Sequence, residues 1–114
     1  MKTILIVCLL LGSLPLFAQS SDGRVVVDNE TVRVYEFESK PGKDVCGAGK
    51  HSHPPHLTVM LSDAIITITT AEGKVMTKKL KAGDTFWSPA ETHMVVNGGN
   101  GQAKCQLVEV KKKA

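Results

Sequence analysis

Residues 49–61 read GKHSHPPHLTVML, and three of the four histidines in the chain stand within this stretch. Side chains of an extended segment alternate between two faces, so His51 and His53 are predicted to project to the same side. The two prolines that follow forbid a helix, and His56 then opens an apolar strand. The fourth histidine, His93, stands far along the chain. The stretch therefore predicts strands that carry a group of imidazoles.

The sequence on both sides of this stretch also has strand character. Apolar and polar residues alternate, no segment keeps an apolar period of 3.6 residues, and Gly or Pro turns separate the alternating runs. Short strands in this arrangement predict an all-β sandwich or barrel. The predicted strands are 24–28, 31–39, 57–61, 64–70, 75–80, 85–88, 93–97 and 102–110.

The N-terminal segment has the layout of a secretory signal peptide. Lys2 provides a basic start, residues 4–11 are apolar and uncharged, and Ala18 offers a small residue at a cleavage point. The apolar run is short for a membrane span and Pro15 follows it, so a retained membrane anchor is not expected. The sequence predicts export to the periplasm or the extracellular space.

Removal of residues 1–18 leaves residues 19–114, a length typical of a single domain. The net charge of the whole chain is +3, which is too small to indicate a nucleic-acid partner. Three lysines near the C-terminus are best explained as a solvated end.

Cys46 and Cys105 are the cysteines outside the predicted signal. In an oxidising compartment these two cysteines would form a disulfide. In the chain-entropy model such a bridge stabilises the fold by roughly 4 kcal/mol. The alternatives are two buried free thiols that never meet, or a Cys46 thiolate that binds metal beside His51. Of these, the disulfide is the expectation.

Neutral imidazoles suit zinc, copper, nickel and iron, whereas calcium and magnesium prefer oxygen donors. A lone His-x-His pair is often a surface accident, and a lone histidine before an apolar strand is often half-buried without a role. Their coincidence favours a site for one divalent transition metal. The predicted ligands are His51, His53, His56 and His93.

These residues resemble the first sequence motif of the cupin family. That motif is a glycine, a short spacer, His-x-His and, a few residues on, a glutamate. Here Gly47 or Gly49 precedes His51 and His53. The glutamate is absent, and His56 stands near its position after a spacer that is one residue shorter.

The second cupin motif is matched around Pro89. Gly83 precedes this proline, and His93 and Asn97 follow it, while Glu91 stands where a glycine is usual. The resemblance covers nearly all of residues 19–114. It implies a cupin-type jelly-roll barrel (a double-stranded β-helix) that pairs as a homodimer.

In metal-binding cupins the histidines of the two motifs bind the metal. The resemblance therefore implies a metal-binding role for His51, His53 and His93, and, with a one-residue gap in the alignment, for His56. A site of neutral imidazoles leaves the ion's charge uncompensated, which favours a small anionic molecule as partner. Three classes of function stay open. They are a metal-dependent enzyme such as an oxygenase or isomerase, a module that holds a metal or a small anion without turnover, and a metal-free barrel that binds a small ligand or dimerises.

Two other residues have alternative explanations. Trp87, the only tryptophan, either lines the barrel mouth or, more commonly for such a residue, packs in the core. Glu91 is either an acid or base beside His93 or, more simply, a solvated turn carboxylate.

Overall fold

This computed structural model describes residues 23–111 of the chain. The segments in which apolar and polar residues alternate form strands there. The strands are β1 (Arg24–Asp28), β2 (Val32–Ser39), β3 (His51–His53), β4 (His56–Met60), β5 (Ala64–Thr70), β6 (Val75–Leu80), β7 (Thr85–Ser88), β8 (Glu91–Asn97) and β9 (Ala103–Val110). Eight of them correspond to the predicted strands, and β3 is the His-x-His segment itself. The predicted signal segment lies outside the described residues.

The strands form two antiparallel sheets. One has the order β1-β2-β9-β4-β7, and the other has the order β3-β8-β5-β6. Within residues 23–111 there is no helix long and apolar enough to cross a membrane. The predicted all-β, jelly-roll architecture is confirmed.

The core lies between the two sheets. Alternate residues of β4 and β9 are buried, as expected where one face of a sheet packs inward. Leu107 and Met60 of the larger sheet share the buried cluster with Ile66 and Val95 of the smaller sheet. Leu107 is among the most completely buried side chains.

Strand β1 forms a free edge of the larger sheet. All five of its residues are exposed, and the pairing with β2 is interrupted by a bulge between Val25 and Val27. The other free edges are β7 in the larger sheet and β3 and β6 in the smaller sheet. The barrel is therefore open along its sides rather than closed by continuous hydrogen bonding.

Asn97 ties the end of β8 to the loops around it. Its side chain is buried, and its Nδ2 donates hydrogen bonds to the carbonyl oxygens of Ser39 and Gly101, each at 2.9 Å. Its Oδ1 accepts a hydrogen bond from the backbone N–H of Gly99 at 3.0 Å. This asparagine of the second motif is thus a structural residue.

Replacing Asn97 with alanine should lower the free energy of unfolding by about 3 kcal/mol, because three hydrogen bonds are lost and buried backbone groups are left unpaired. Asn100→Ala, at an exposed turn position, is the matched control and should change stability by less than about 0.5 kcal/mol. Urea denaturation of the two variants measures both values. Equal stability of the two variants would show that the hydrogen bonds of Asn97 are unimportant.

Candidate metal centre

Sheet pairing brings the histidines of the two motifs together. Strand β3 runs antiparallel to β8, so that His51 lies opposite His93. The ring centroids of His51 and His53 are 4.6 Å apart, those of His51 and His93 are 4.8 Å apart, and those of His53 and His93 are 5.3 Å apart. His56 reaches the same place from β4 in the other sheet, with its ring 4.9 Å from that of His53.

Cys46 completes this cluster from the loop before β3. Its Sγ lies 3.4 Å from Nε2 of His51 and 3.7 Å from Nε2 of His93. One donor atom from each of Cys46, His51, His53 and His93 falls within 4.8 Å of all the others. In a tetrahedral zinc site these separations are about 3.3–3.8 Å, so small side-chain movements would close the set on one ion. His56 is outside this set of four.

The loop that carries Cys46 has an unusual backbone. Cys46 has a positive φ of 57°, a left-handed conformation that costs a non-glycine residue about 1–2 kcal/mol. The next residue, Gly47, has a φ of 147°, and a Cβ there would stand 2.8 Å from the ring of His51. Gly47 therefore lets the imidazole lie against the backbone, which gives the glycine before His-x-His a physical role.

The disulfide expected between Cys46 and Cys105 is absent, and that prediction is wrong. Both residues are buried free cysteines. They belong to the same core cluster, but the Cys46 thiol faces two imidazoles. Spacing along the sequence could not reveal this orientation.

Two of the histidines are oriented by backbone carbonyls. Nδ1 of His51 donates a hydrogen bond to the carbonyl oxygen of Gly49 at 2.9 Å, and Nδ1 of His56 donates to that of Pro54 at 2.8 Å. A carbonyl oxygen can only accept, so the proton of each neutral ring is on Nδ1 and the lone pair is on Nε2. These tautomers are the ones that a metal bound through Nε2 requires.

The other two histidines face carboxylates in the same way. Nδ1 of His93 is 2.5 Å from Oε1 of Glu91, and Nδ1 of His53 is 3.6 Å from Oε2 of Glu109. Nε2 of His53 is buried and has no hydrogen-bond partner. Metal-binding histidines usually turn their second nitrogen to a carbonyl or carboxylate, so the rings of His51, His53 and His93 fit a metal bound at Nε2.

Burial disfavours the charged forms of His53, His93 and Cys46. Burial and then the neighbouring imidazoles lower the pKa of His53 to about 3, and burial also lowers the pKa of His93 in spite of Glu91. The contacts with Glu91 and Glu109 are therefore orienting interactions rather than salt bridges at neutral pH. Burial raises the pKa of the Cys46 thiol well above its usual value, so a thiolate there needs a cation beside it.

Glu109 was not identified from the sequence. It stands opposite His56 in the pairing of β4 with β9, and only that register shows that it lies beside the histidines. Glu91 was weighed as a catalytic group or a solvated turn residue. The structure places it at the start of β8, in contact with His93.

A cavity of about 800 Å³ extends from the cluster into the space between the sheets. His53, His56 and His93 border it, and its other walls are mostly apolar. Trp87 borders the same cavity but is 56% exposed, so the core-packing interpretation of this residue is wrong.

Solved structures that are similar to this chain include cupins. A cupin domain from Bordetella pertussis Tohama I aligns with a TM-score of 0.74 and 26% identity, over 82% of this chain and 95% of that chain. The chain has the fold of a small cupin domain. Two further cupin-fold structures, under 25% identical, support the fold alone.

The first is a Klebsiella pneumoniae protein with a double-stranded β-helix domain, with a TM-score of 0.61, 21% identity and coverage of 82% of this chain and 86% of that chain. The second is a cupin superfamily protein from Desulfitobacterium hafniense DCB-2, with a TM-score of 0.59, 16% identity and coverage of 79% of this chain and 76% of that chain. No protein-family model and no curated protein matches the sequence. The cupin resemblance of the two motifs is thus confirmed at the level of fold.

The state of the two cysteines can be measured directly. Alkylation of the denatured protein without reductant should label both Cys46 and Cys105, because both thiols are free. Alkylation of the folded protein should label them slowly, since both are buried. Peptide mapping by mass spectrometry distinguishes the states, and a peptide pair joined by a disulfide would contradict the structure.

Proposed function

We propose that this cupin binds one divalent transition metal through Cys46, His51, His53 and His93 and presents it to a small molecule in the barrel cavity. The observation that carries the proposal is the buried, unpartnered Nε2 of His53. A buried polar atom without a partner is costly. Coordination to a metal shared with the neighbouring donors would remove that cost.

The donor set favours particular metals. Three imidazoles and one thiolate form a tetrahedral set that suits zinc, and copper, nickel and iron also accept these ligands. Calcium and magnesium, which prefer oxygen, are disfavoured. When bound, the metal would supply Lewis-acid character at the end of the cavity.

The residues around the donors have separate tasks. Gly49, Glu91 and Glu109 hold the rings of His51, His93 and His53 with Nε2 toward the centre. His56, whose Nδ1 donates a hydrogen bond to the carbonyl oxygen of Pro54, borders the cavity. It is placed to accept a hydrogen bond from a small molecule at the metal or to serve as an additional ligand.

The proposed ligand count bears on catalysis. Four protein ligands are typical of a site that holds its metal, whereas catalytic zinc sites keep a position open. We therefore place metal and small-molecule binding ahead of turnover as an oxygenase or isomerase. A single thiolate leaves a divalent site with net positive charge, which favours an anionic molecule in the cavity beside it. The alternative function is a metal-free barrel that binds a small molecule or dimerises.

Metal analysis of the untagged protein tests the proposed centre. The wild type should contain close to one metal ion per chain, and His93→Gln should lose it because one of the donors is gone. Ser52→Ala is the matched control, since Ser52 lies between two of the histidines on β3 but is exposed. This variant should keep the full metal content.

Cobalt substitution tests the thiolate. The cobalt form of the wild type should show a sulfur-to-metal charge-transfer band, and Cys46→Ser should lose that band while keeping weaker cobalt binding. Full metal content in His93→Gln, or no metal uptake by the folded wild type, would contradict the site. The latter outcome would favour the metal-free alternative.

We also propose that the protein acts outside the cytoplasm. The support is the signal-like sequence of residues 1–18, with its basic start, apolar run and Ala18. A site loaded there would meet copper and zinc, which stand above iron and manganese in intrinsic affinity.

Export can be tested by determining the N-terminus of the protein in the periplasmic fraction or the culture medium of its native host. The first residue should be Gln19, because cleavage is expected after Ala18. A cell-associated protein that retains Met1 would contradict both export and cleavage.

Homodimerisation stays a prediction. Strand β1 offers a free edge on which Val25, Val26 and Val27 are 48%, 38% and 43% exposed. A second copy could pair with such an edge. The absence of a nucleic-acid partner and of a stable membrane anchor also stay predictions from the sequence.

A further inference from the structure

A lysine stands at the edge of the cavity, away from the histidines. Lys78 is on β6, the free edge of the smaller sheet, and Phe86 is on β7, a free edge of the larger sheet. The ammonium of Lys78 lies 5.8 Å from the centre of the Phe86 ring. The two edges therefore approach each other here, and the space between them is called the seam.

Lys78 projects from the inner face of its strand at the edge of the cavity, where its side chain is exposed. It pairs with Ile66, a buried core residue, and directly paired residues project to the same face of a sheet. Its neighbour Lys79 pairs with Ile65, which is 37% exposed and lies on the outer face. Lys78 borders the cavity, and Lys79 does not.

The ammonium of Lys78 has no anionic partner within residues 23–111. None of the ion pairs or hydrogen bonds formed there includes it. The carboxylates that border the cavity are Glu72 and Glu91. Glu91 contacts His93, and Glu72 lies in the turn between β5 and β6, beyond the end of β5 that pairs with His93. Lys78 therefore provides the positive charge at its end of the cavity.

An apolar wall separates Lys78 from the proposed metal centre. His93 pairs with Thr70 and Lys78 pairs with Ile66, so the two ends are four residues apart along β5. At the rise of an extended strand this separation is about 13 Å. Ile68 lies between them on β5, and Val95 and Met76 are its cross-strand partners. These three residues and Phe86 all border the cavity.

We propose that the cavity binds a small amphipathic anion, with its anionic group at Lys78 and its apolar body along Ile68, Met76 and Phe86. The far end of such a molecule would point toward the histidine cluster. This assignment rests on the proposed function and adds to it the class of molecule that would meet the metal. The anionic group itself is held by Lys78 and not by the metal.

Trp87 provides a signal for the test. It is the only tryptophan, and it borders the cavity next to Phe86 on β7. Its fluorescence should respond when a molecule enters the seam. The probes are octanoate and octanol, which share an apolar chain and differ in charge.

The protein as purified should bind octanoate roughly fivefold more tightly than octanol, as expected for one partly exposed ion pair. Lys78→Gln should bind the two probes equally. Lys79→Gln, the neighbouring outward lysine, is the matched control and should keep the preference. The wild type should also keep the preference after its metal is removed with a chelator, since the carboxylate is not bound by the metal.

The outcomes separate the two proposals. A preference that survives in Lys78→Gln but disappears when the metal is removed would place the anion at the metal and overturn the Lys78 site. Absence of a fluorescence response and of calorimetric binding for both probes would also overturn it. If Lys78→Gln loses the preference and the wild type takes up no metal, the anion site is supported and only the metal centre is contradicted.

Discussion

The antiparallel pairing of β3 with β8 is the constraint on which the rest of the site depends. It sets His51 opposite His93, although the two residues belong to different sequence motifs. Once these rings are paired, His53 must face the same interior, where burial disfavours its protonation. The register of one short strand thus creates a group of nitrogen donors inside the barrel.

The four histidine rings share one kind of contact with the residues around them. Each ring turns Nδ1 to an oxygen atom, from a backbone carbonyl for His51 and His56 and from a carboxylate for His53 and His93. The strained backbone at Cys46 directs a thiol to the same centre. Strain of this kind persists only where the surrounding structure holds it, and it is common at functional sites.

The open edges of the sheets determine how the interior can be reached. The hydrogen bonding of the two sheets does not continue around the barrel, and β6 and β7 leave a seam beside the cavity. The cavity thus has a polar end at the histidines and a cationic edge at Lys78, with apolar side chains between them. This arrangement suits the amphipathic anion proposed above, which would extend from Lys78 toward the metal centre.

The sequence by itself determined the strands, the all-β class and the set of histidines, because these depend on the two-residue period of extended chains and on residue chemistry. The resemblance of the segments around His51 and His93 to the two cupin motifs further predicted the barrel. Only the tertiary structure decided the orientation of Cys46, the contact of Glu109 with His53 and the position of the exposed Lys78 side chain at the edge of the cavity. These features arise from the pairing of distant strands and from one left-handed residue in a loop, and neither leaves a periodic pattern in the sequence.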